Sequence, residues 1–241
     1  AIWLIVGAFL FSRGFIKTGL GKRIAYNLIA AFGSSSLRLA YALALSDLIL
    51  APATPSNTAR VGGVIMPITT SLAKAFGSEP QDGPRKIGSF LMQSIYQVNT
   101  ITSAMFQTSM AGNTLVAALA LQSFGIGITW GDWAMAAIVP GIIALIIMPY
   151  FIYKVYPPEI KDAREAQQMI KEELKGLGKM SFQEWVMLGV FILALVLWAT
   201  SQFTKLDATT VAFLGISILL ATSVLVWDDV KSEKGAWDTL V

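Results

Sequence analysis

The sequence contains no cysteine and no histidine. Disulfides, thiolate nucleophiles, Ser-His-Asp triads and the usual zinc ligand sets are therefore excluded. Charge is almost as scarce: only 14% of the 241 residues are Asp, Glu, Lys or Arg, and the net charge is +3. With no obvious carboxylate pair at membrane depth either, an intramembrane enzyme is poorly supported, and no nucleic-acid partner is expected. What fills the chain instead is apolar. Hydrophobic residues make up 55% and the mean hydropathy is +0.63, above the share of a soluble domain. Several apolar runs approach the ~20 residues that cross a ~30 Å hydrocarbon core, separated by short polar connections rather than strand-and-turn signals. An all-α polytopic membrane protein follows, built as a helical bundle and not a barrel.

The chain begins at Ala1 inside an apolar run and stops at WDTLV, which reads as the start of another. It is read as an internal piece of a longer protein, so the absence of a signal sequence carries no information. Along it, residues 1–33 hold the end of a transmembrane helix and an interfacial helix, RGFIKTGLGKRIAYNLIAAF, on the scaffold side. Residues 34–86 hold two short apolar arms, Leu37 to Ala51 and Val61 to Phe76, interrupted by APATPSNTAR. Residues 87–122 are long enough to span but crowded in the middle with polar side chains. A clean span follows in 123–153, a charged connector of both signs in 154–185, and two further spans in 186–241.

The basic residues fix how the interrupted arms thread. If Leu37 to Phe76 crossed once, Lys74, Arg85 and Lys86 would lie opposite Arg13, Lys17, Lys22 and Arg23, against the positive-inside rule. If the segment enters and returns on one side, nearly all basic residues share the cytoplasmic face, and only Arg60 and Lys205 fall outside. Each arm offers about 12 to 16 residues, or roughly 18 to 24 Å of helix, which is short of the hydrocarbon core. A re-entrant helix hairpin is expected, with its tip at membrane depth.

Irregular backbone at that depth must be packed in protein or line a wet cavity. Pro52 and Pro55 stop the first arm, and Ser56, Asn57 and Thr58 stand where the second begins, beside the free N–H groups of a helix start. Such an end suits a carboxylate, and the carbonyls released by the break suit a small cation such as Na⁺. The bland alternative is a cap on an ordinary loop. A second discontinuity is expected in NTITSAMFQTSMAGNT, where Asn99, Thr100, Thr102, Ser103, Gln107, Thr108, Ser109, Asn113 and Thr114 are too polar for a lipid-facing helix. Small-residue packing explains part of that cluster. Thr108, Ser109 and Asn113 are taken as the support of a shared cavity. Asp47 and Arg60 flank the tip and are expected to pair across it; the alternative is that Arg60 faces the cavity and attracts an anion.

ATPSNTARVGGVIMPI resembles the first Ser-Asn-Thr hairpin of the divalent anion:sodium symporter (DASS) family, and the likeness extends through LFSRGFIKTGLGKRIAYNLI, TSAMFQTSMAGNTLVAALA and EKGAWDTLV. It is nearest the branch of citrate/succinate, tartrate/succinate and 2-oxoglutarate/malate exchangers. The resemblance implies secondary transport of di- or tricarboxylates by a homodimeric elevator with an inverted repeat, of which this is the N-terminal part. It implies that Ser56, Asn57 and Thr58, with Thr54, contact substrate. In sodium-coupled members Asn57 and Ser56 would share a cation site with Thr102, Ser103 and Ala104. No second Ser-Asn-Thr occurs here, so the piece is not expected to transport alone, and Pro52 stands where a coordinating hydroxyl would serve a cation.

The expected function is thus a carboxylate exchanger in a bacterial inner membrane, rather than a plastid inner envelope, with no cofactor beyond Na⁺ if transport is sodium-coupled. The alternatives are a Na⁺-coupled dicarboxylate symporter and, from another class, a channel or structural membrane subunit.

Overall fold

The computed structural model describes residues 2–54 and 56–239. Pro55, expected to help stop the first arm, and the last two residues of WDTLV lie outside them. Every named element among the described residues is helical.

The first helix, α1 (Ile2–Thr18), runs more than a turn into the stretch expected as the interfacial helix and carries Arg13 and Lys17. Gly19, with φ 75°, permits the left-handed turn that a side chain would resist. The chain bends there by 62° into α2 (Leu20–Phe32), whose buried and exposed residues alternate by helical faces. The first arm of the hairpin is α3 (Ser36–Leu50), which starts on the Ser35 cap. It ends in a 3-10 turn over Ala51–Ala53 containing Pro52. After the tip, α4 (Asn57–Arg60) passes into a π-helical stretch, Val61–Ile65, and then α5 (Met66–Ala75). Gly62 and Gly63 lie inside that wide turn. π turns of this kind occur mostly as single bulges, often at functional positions.

The long polar segment is broken as expected. Helix α6 (Gly88–Met105) stops, the chain crosses Phe106 to Met110 without helix, and α7 (Ala111–Phe124) resumes. Helix α8 (Trp130–Val155) opens on a Thr129–Asp132 capping box. Between α8 and α10 the charged connector is helical over α9 (Arg164–Gly176). A second capping box, Ser181 with Glu184, starts α10 (Phe182–Ala199). There follow α11 (Ser201–Thr204), α12 (Ala208–Ala221) and the short α13 (Trp227–Ser232) and α14 (Lys234–Trp237).

Three helical segments, Ser36–Ala53, Trp130–Val155 and Phe182–Ala199, are long and apolar enough to cross a membrane, and the bent pair α1–α2 makes a fourth candidate. Length alone misreads the first. Ser36 N–H donates to the Lys161 carbonyl at 3.0 Å, and Ile160 N–H donates to the Lys86 carbonyl at 2.9 Å. The start of the hairpin and the loop after it therefore meet across one strip, so the hairpin enters and leaves at the same end. The other charged loops join that end: Arg23 grips Glu184 at 2.5 Å and the Gly178 carbonyl at 2.9 Å, Tyr26 donates to Glu173, and Lys17 meets Asp229 at 2.5 Å.

One continuous core joins two groups of helices. Helix α1 packs on α10 and α12, with Phe15 edge-on to Phe191 at 5.0 Å and Phe11 against Trp198 at 6.4 Å. Helices α3, α6 and α8 form the other group around the hairpin. The outer flanks of α8 stay apolar and exposed, as at Ile143, Ile146 and Ile147, which suits a lipid-facing helix.

Candidate functional site

Arg60 organises the tip. Its side chain is wholly enclosed, with the residue 1% exposed, and its guanidinium donates to oxygens from both breaks. Nε reaches Asp47 Oδ1 at 2.8 Å. Nη1 reaches the Thr54 carbonyl at 3.0 Å, Thr54 Oγ1 at 3.3 Å and the Ser109 carbonyl at 3.2 Å. Nη2 reaches Thr102 Oγ1 at 3.2 Å and Ser103 Oγ at 3.0 Å. Asp47, 2% exposed, also accepts from the Thr102 hydroxyl and from Asn99 at 3.4 Å. The ion pair is formed, and Arg60 does not face an open cavity. A buried pair is tolerable only when the remaining donors and acceptors are met, and here they are.

The other polar residues of the second break close it from within. Thr108 Oγ donates to the Pro52 carbonyl at 2.5 Å and accepts from Trp130 Nε1 at 2.9 Å. Ser109 Oγ and Asn113 Nδ2 both donate to the Ser103 carbonyl at 2.6 Å and also to the Phe106 carbonyl. The Ala104 carbonyl accepts from Trp133 Nε1 at 2.9 Å. These bonds satisfy carbonyls that a helix end leaves free. Thr108, Ser109 and Asn113 thus hold the break together, and the Thr102 and Ser103 hydroxyls and the Ser103 and Ala104 carbonyls already have partners within the chain. Trp130 and Trp133 went unread in the sequence. Their signal was TWGDW, which puts two indoles three residues apart on one face of a capped helix start.

Ser56, Asn57 and Thr58 differ from all of these. Ser56 and Asn57 are half-buried and Thr58 is exposed. Ser56 Oγ accepts from Ala59 N–H at 3.1 Å, which leaves its hydroxyl hydrogen to donate elsewhere. Asn57 turns its Oδ1 to Thr58 N–H at 2.9 Å, so the two amide hydrogens point away from the backbone. Thr54 is apart from them: it is buried, and its hydroxyl donates to the Leu50 carbonyl at 2.8 Å. A cavity of about 580 Å³ opens at the end opposite the charged loops, beside Gln107, Thr114, Trp130, Trp198 and Lys205, and does not include the Ser-Asn-Thr tip. Its lining mixes apolar side chains with polar ones, among them Gln107, Thr114, Ser201, Gln202 and Lys205, and the candidate site stays at the tip because a helix start and the Ser-Asn-Thr donors coincide there.

Fold and site together define a helical membrane bundle that buries a charged pair behind a re-entrant helix start, with no group of metal-ligating side chains among the described residues. The chain belongs to the family described as sodium:sulfate symporter transmembrane region, whose pattern matches residues 1–241, and it is a multi-pass integral membrane protein. It is 55% identical over 240 residues to YflS of Bacillus subtilis, covering 99% of this chain and 50% of that protein. It is 48% identical over 239 residues to dicarboxylate transporter 1, chloroplastic, of Spinacia oleracea, covering 99% of this chain and 42% of the relative. The citrate/succinate antiporter of Escherichia coli is 39% identical over 241 residues, covering 100% of this chain and 49% of the relative. The chain spans about half the length of these curated relatives.

Proposed function

We propose that this chain is part of a carrier that exchanges di- or tricarboxylates, of the succinate, malate, citrate, tartrate or 2-oxoglutarate class, across a bacterial inner membrane. The observation that carries the reading is the Ser56–Thr58 tip, where a helix begins at membrane depth with the Ser56 hydroxyl hydrogen and the Asn57 amide hydrogens unspent, while the Thr58 hydroxyl reaches Asn57 Oδ1 at 3.5 Å. A carboxylate entering there exchanges water for Ser56, Asn57 and Thr58 donors and for the positive end of the helix. Relatives named for dicarboxylates and for citrate and succinate support the substrate class. A homodimer moving as an elevator is part of the same proposal and rests on the family.

Exchange is preferred to Na⁺ symport because of Arg60. Hard oxygens of the kind that draw Na⁺, namely the Asp47 carboxylate, the Thr54 and Ser109 carbonyls and the Thr102 and Ser103 hydroxyls, are engaged by its guanidinium. The Asp47–Arg60 pair is net neutral and occupies these oxygens without a metal ion, and a carrier that crosses poorly when empty then trades one anion for another. Na⁺ coupling remains the second reading, with Asn57 and Ser56 as its ligands on the tip side.

The test is uptake of labelled succinate by the full-length protein in proteoliposomes preloaded with malate. Exchange requires internal dicarboxylate, proceeds equally in sodium and choline salts, and falls about tenfold or more in Asn57→Ala, the loss expected for one hydrogen bond to a charged group. Accumulation driven by a Na⁺ gradient without internal substrate overturns exchange in favour of symport. Flux that follows voltage alone indicates a channel, and full activity in Asn57→Ala removes the tip from the site.

A further inference from the structure

We propose that the groove between α2 and α3 binds an anionic phospholipid, with the lipid phosphate on Arg38 and an acyl chain lying along α3. The groove measures about 530 Å³ and is lined by Ala31 and Phe32 of α2 and by Arg38, Tyr41, Ala42 and Leu45 of α3. The four α3 positions fall at i, i+3, i+4 and i+7, which makes one stripe on one helix face. The stripe is cationic at one end and apolar at the other. Arg38 sits in the first turn of α3, at the end where the charged loops gather, and Leu45 lies about 10 Å deeper by helical rise. A lipid has the same polarity over the same distance, and Phe32 and Leu45 remain exposed at 54% and 38%, as the walls of an acyl groove must be.

The charge pattern selects the headgroup. Arg13, Arg23, Arg60 and Arg164 each meet a carboxylate, whereas no carboxylate among the described residues pairs with Arg38. Its guanidinium has only the Ser34 hydroxyl, at 3.1 Å, and keeps donors for a phosphate, which arginine binds in bidentate fashion. Tyr41 fixes α3 to α8 by donating to the Ile146 carbonyl at 2.5 Å. Two turns along α8 toward the charged end, Lys154 lies over the Tyr150 ring at 5.5 Å, also without a carboxylate partner among the described residues. Two cations without carboxylate partners favour a net negative lipid over a zwitterionic one, because Asp162, which lies across from Ser35, is already engaged by Arg164. The apolar length of the groove argues against a soluble anion.

Native mass spectrometry and thermal denaturation of the full-length protein in detergent, with added phosphatidylglycerol, phosphatidylcholine or glycerol phosphate, test this. Phosphatidylglycerol is expected to stay bound and raise the unfolding midpoint, and phosphatidylcholine to do neither. Arg38→Gln weakens phosphatidylglycerol binding about tenfold, the loss of one charge-assisted contact. Leu45→Trp does the same by filling the groove with the charge intact, and Arg38→Lys restores part of the binding. Equal binding of the two lipids, unchanged binding in Arg38→Gln, or equal competition by glycerol phosphate each overturns the proposal. So does an absence of lipid binding in the full-length protein, which would mean that the rest of the chain fills the groove.

Discussion

Replacing Arg60 by methionine keeps an unbranched apolar side chain in place but removes the guanidinium. Asp47 then loses its one cationic partner among the described residues while remaining enclosed, with one hydroxyl from Thr102 and one amide from Asn99 for a full negative charge. The Thr54 and Ser109 carbonyls each lose a donor as well. Removing one member of a buried pair costs about 3–5 kcal/mol, mostly the desolvation of the charge left behind. The substitution should therefore cost that much in unfolding free energy, read by denaturant titration of the full-length protein in detergent micelles. Adding Asp47→Asn to Arg60→Met removes the stranded charge and should recover about half or more of the loss, because replacing both members of such a pair is often close to neutral. Arg60→Lys should fall between, since an ammonium keeps the charge but cannot span acceptors on both breaks. A cost of less than about 1 kcal/mol for Arg60→Met, the value of an exposed pair, would refute the assignment of Arg60 as the tie between hairpin and broken helix. So would a double variant less stable than Arg60→Met alone.

Two further outcomes follow from contacts away from the tip. Gly215 lets α12 approach α1: a Cβ there would lie 2.8 Å from Phe11 Cε2 and 3.2 Å from Val190 Cγ1, so Gly215→Ala should lose about 1–3 kcal/mol by overpacking, seen as a lower thermal midpoint. At the charged end, burial pushes the Asp229 carboxyl up, but the hydrogen bond from Lys17, the Val226 N–H and the charges of Lys17 and Arg13 together hold it below its ordinary value of 3.8. Because the folded value is the lower one, this stabilisation is present above 3.8 and is lost as pH falls from there through the folded value. Stability measured against acid should drop less steeply in Asp229→Asn than in the parent protein.

The breaks were legible because they are chemically loud. Proline at 52 and Ser-Asn-Thr at 56–58 sit between apolar arms, and a polar cluster occupies the middle of an otherwise spanning segment. The pairing of Asp47 with Arg60 was legible for a related reason: two charges at membrane depth on facing arms have few other partners. The length of α1 was misjudged because Arg13 and Lys17 look interfacial in one dimension, whereas in three they meet Asp229, more than two hundred residues away. The two tryptophans at the start of α8 were missed although TWGDW sets them on one face, since an indole that bonds to Thr108 or to the Ala104 carbonyl looks in sequence like one at a membrane interface.

What the sequence alone determined was a helical membrane chain with its basic loops on one side, interrupted at two stated places, because hydropathy, proline and charge placement are properties of local segments. Only the tertiary structure decided which oxygens and hydrogens are already spent. Arg60 draws on Asp47, Thr54, Thr102, Ser103 and Ser109 at once, while Ser56 and Asn57 satisfy their own backbone and keep donors to spare. That division is set by which helices pack together, because inside a low-dielectric bundle an unmet donor or acceptor is costly and only the packing brings it a partner.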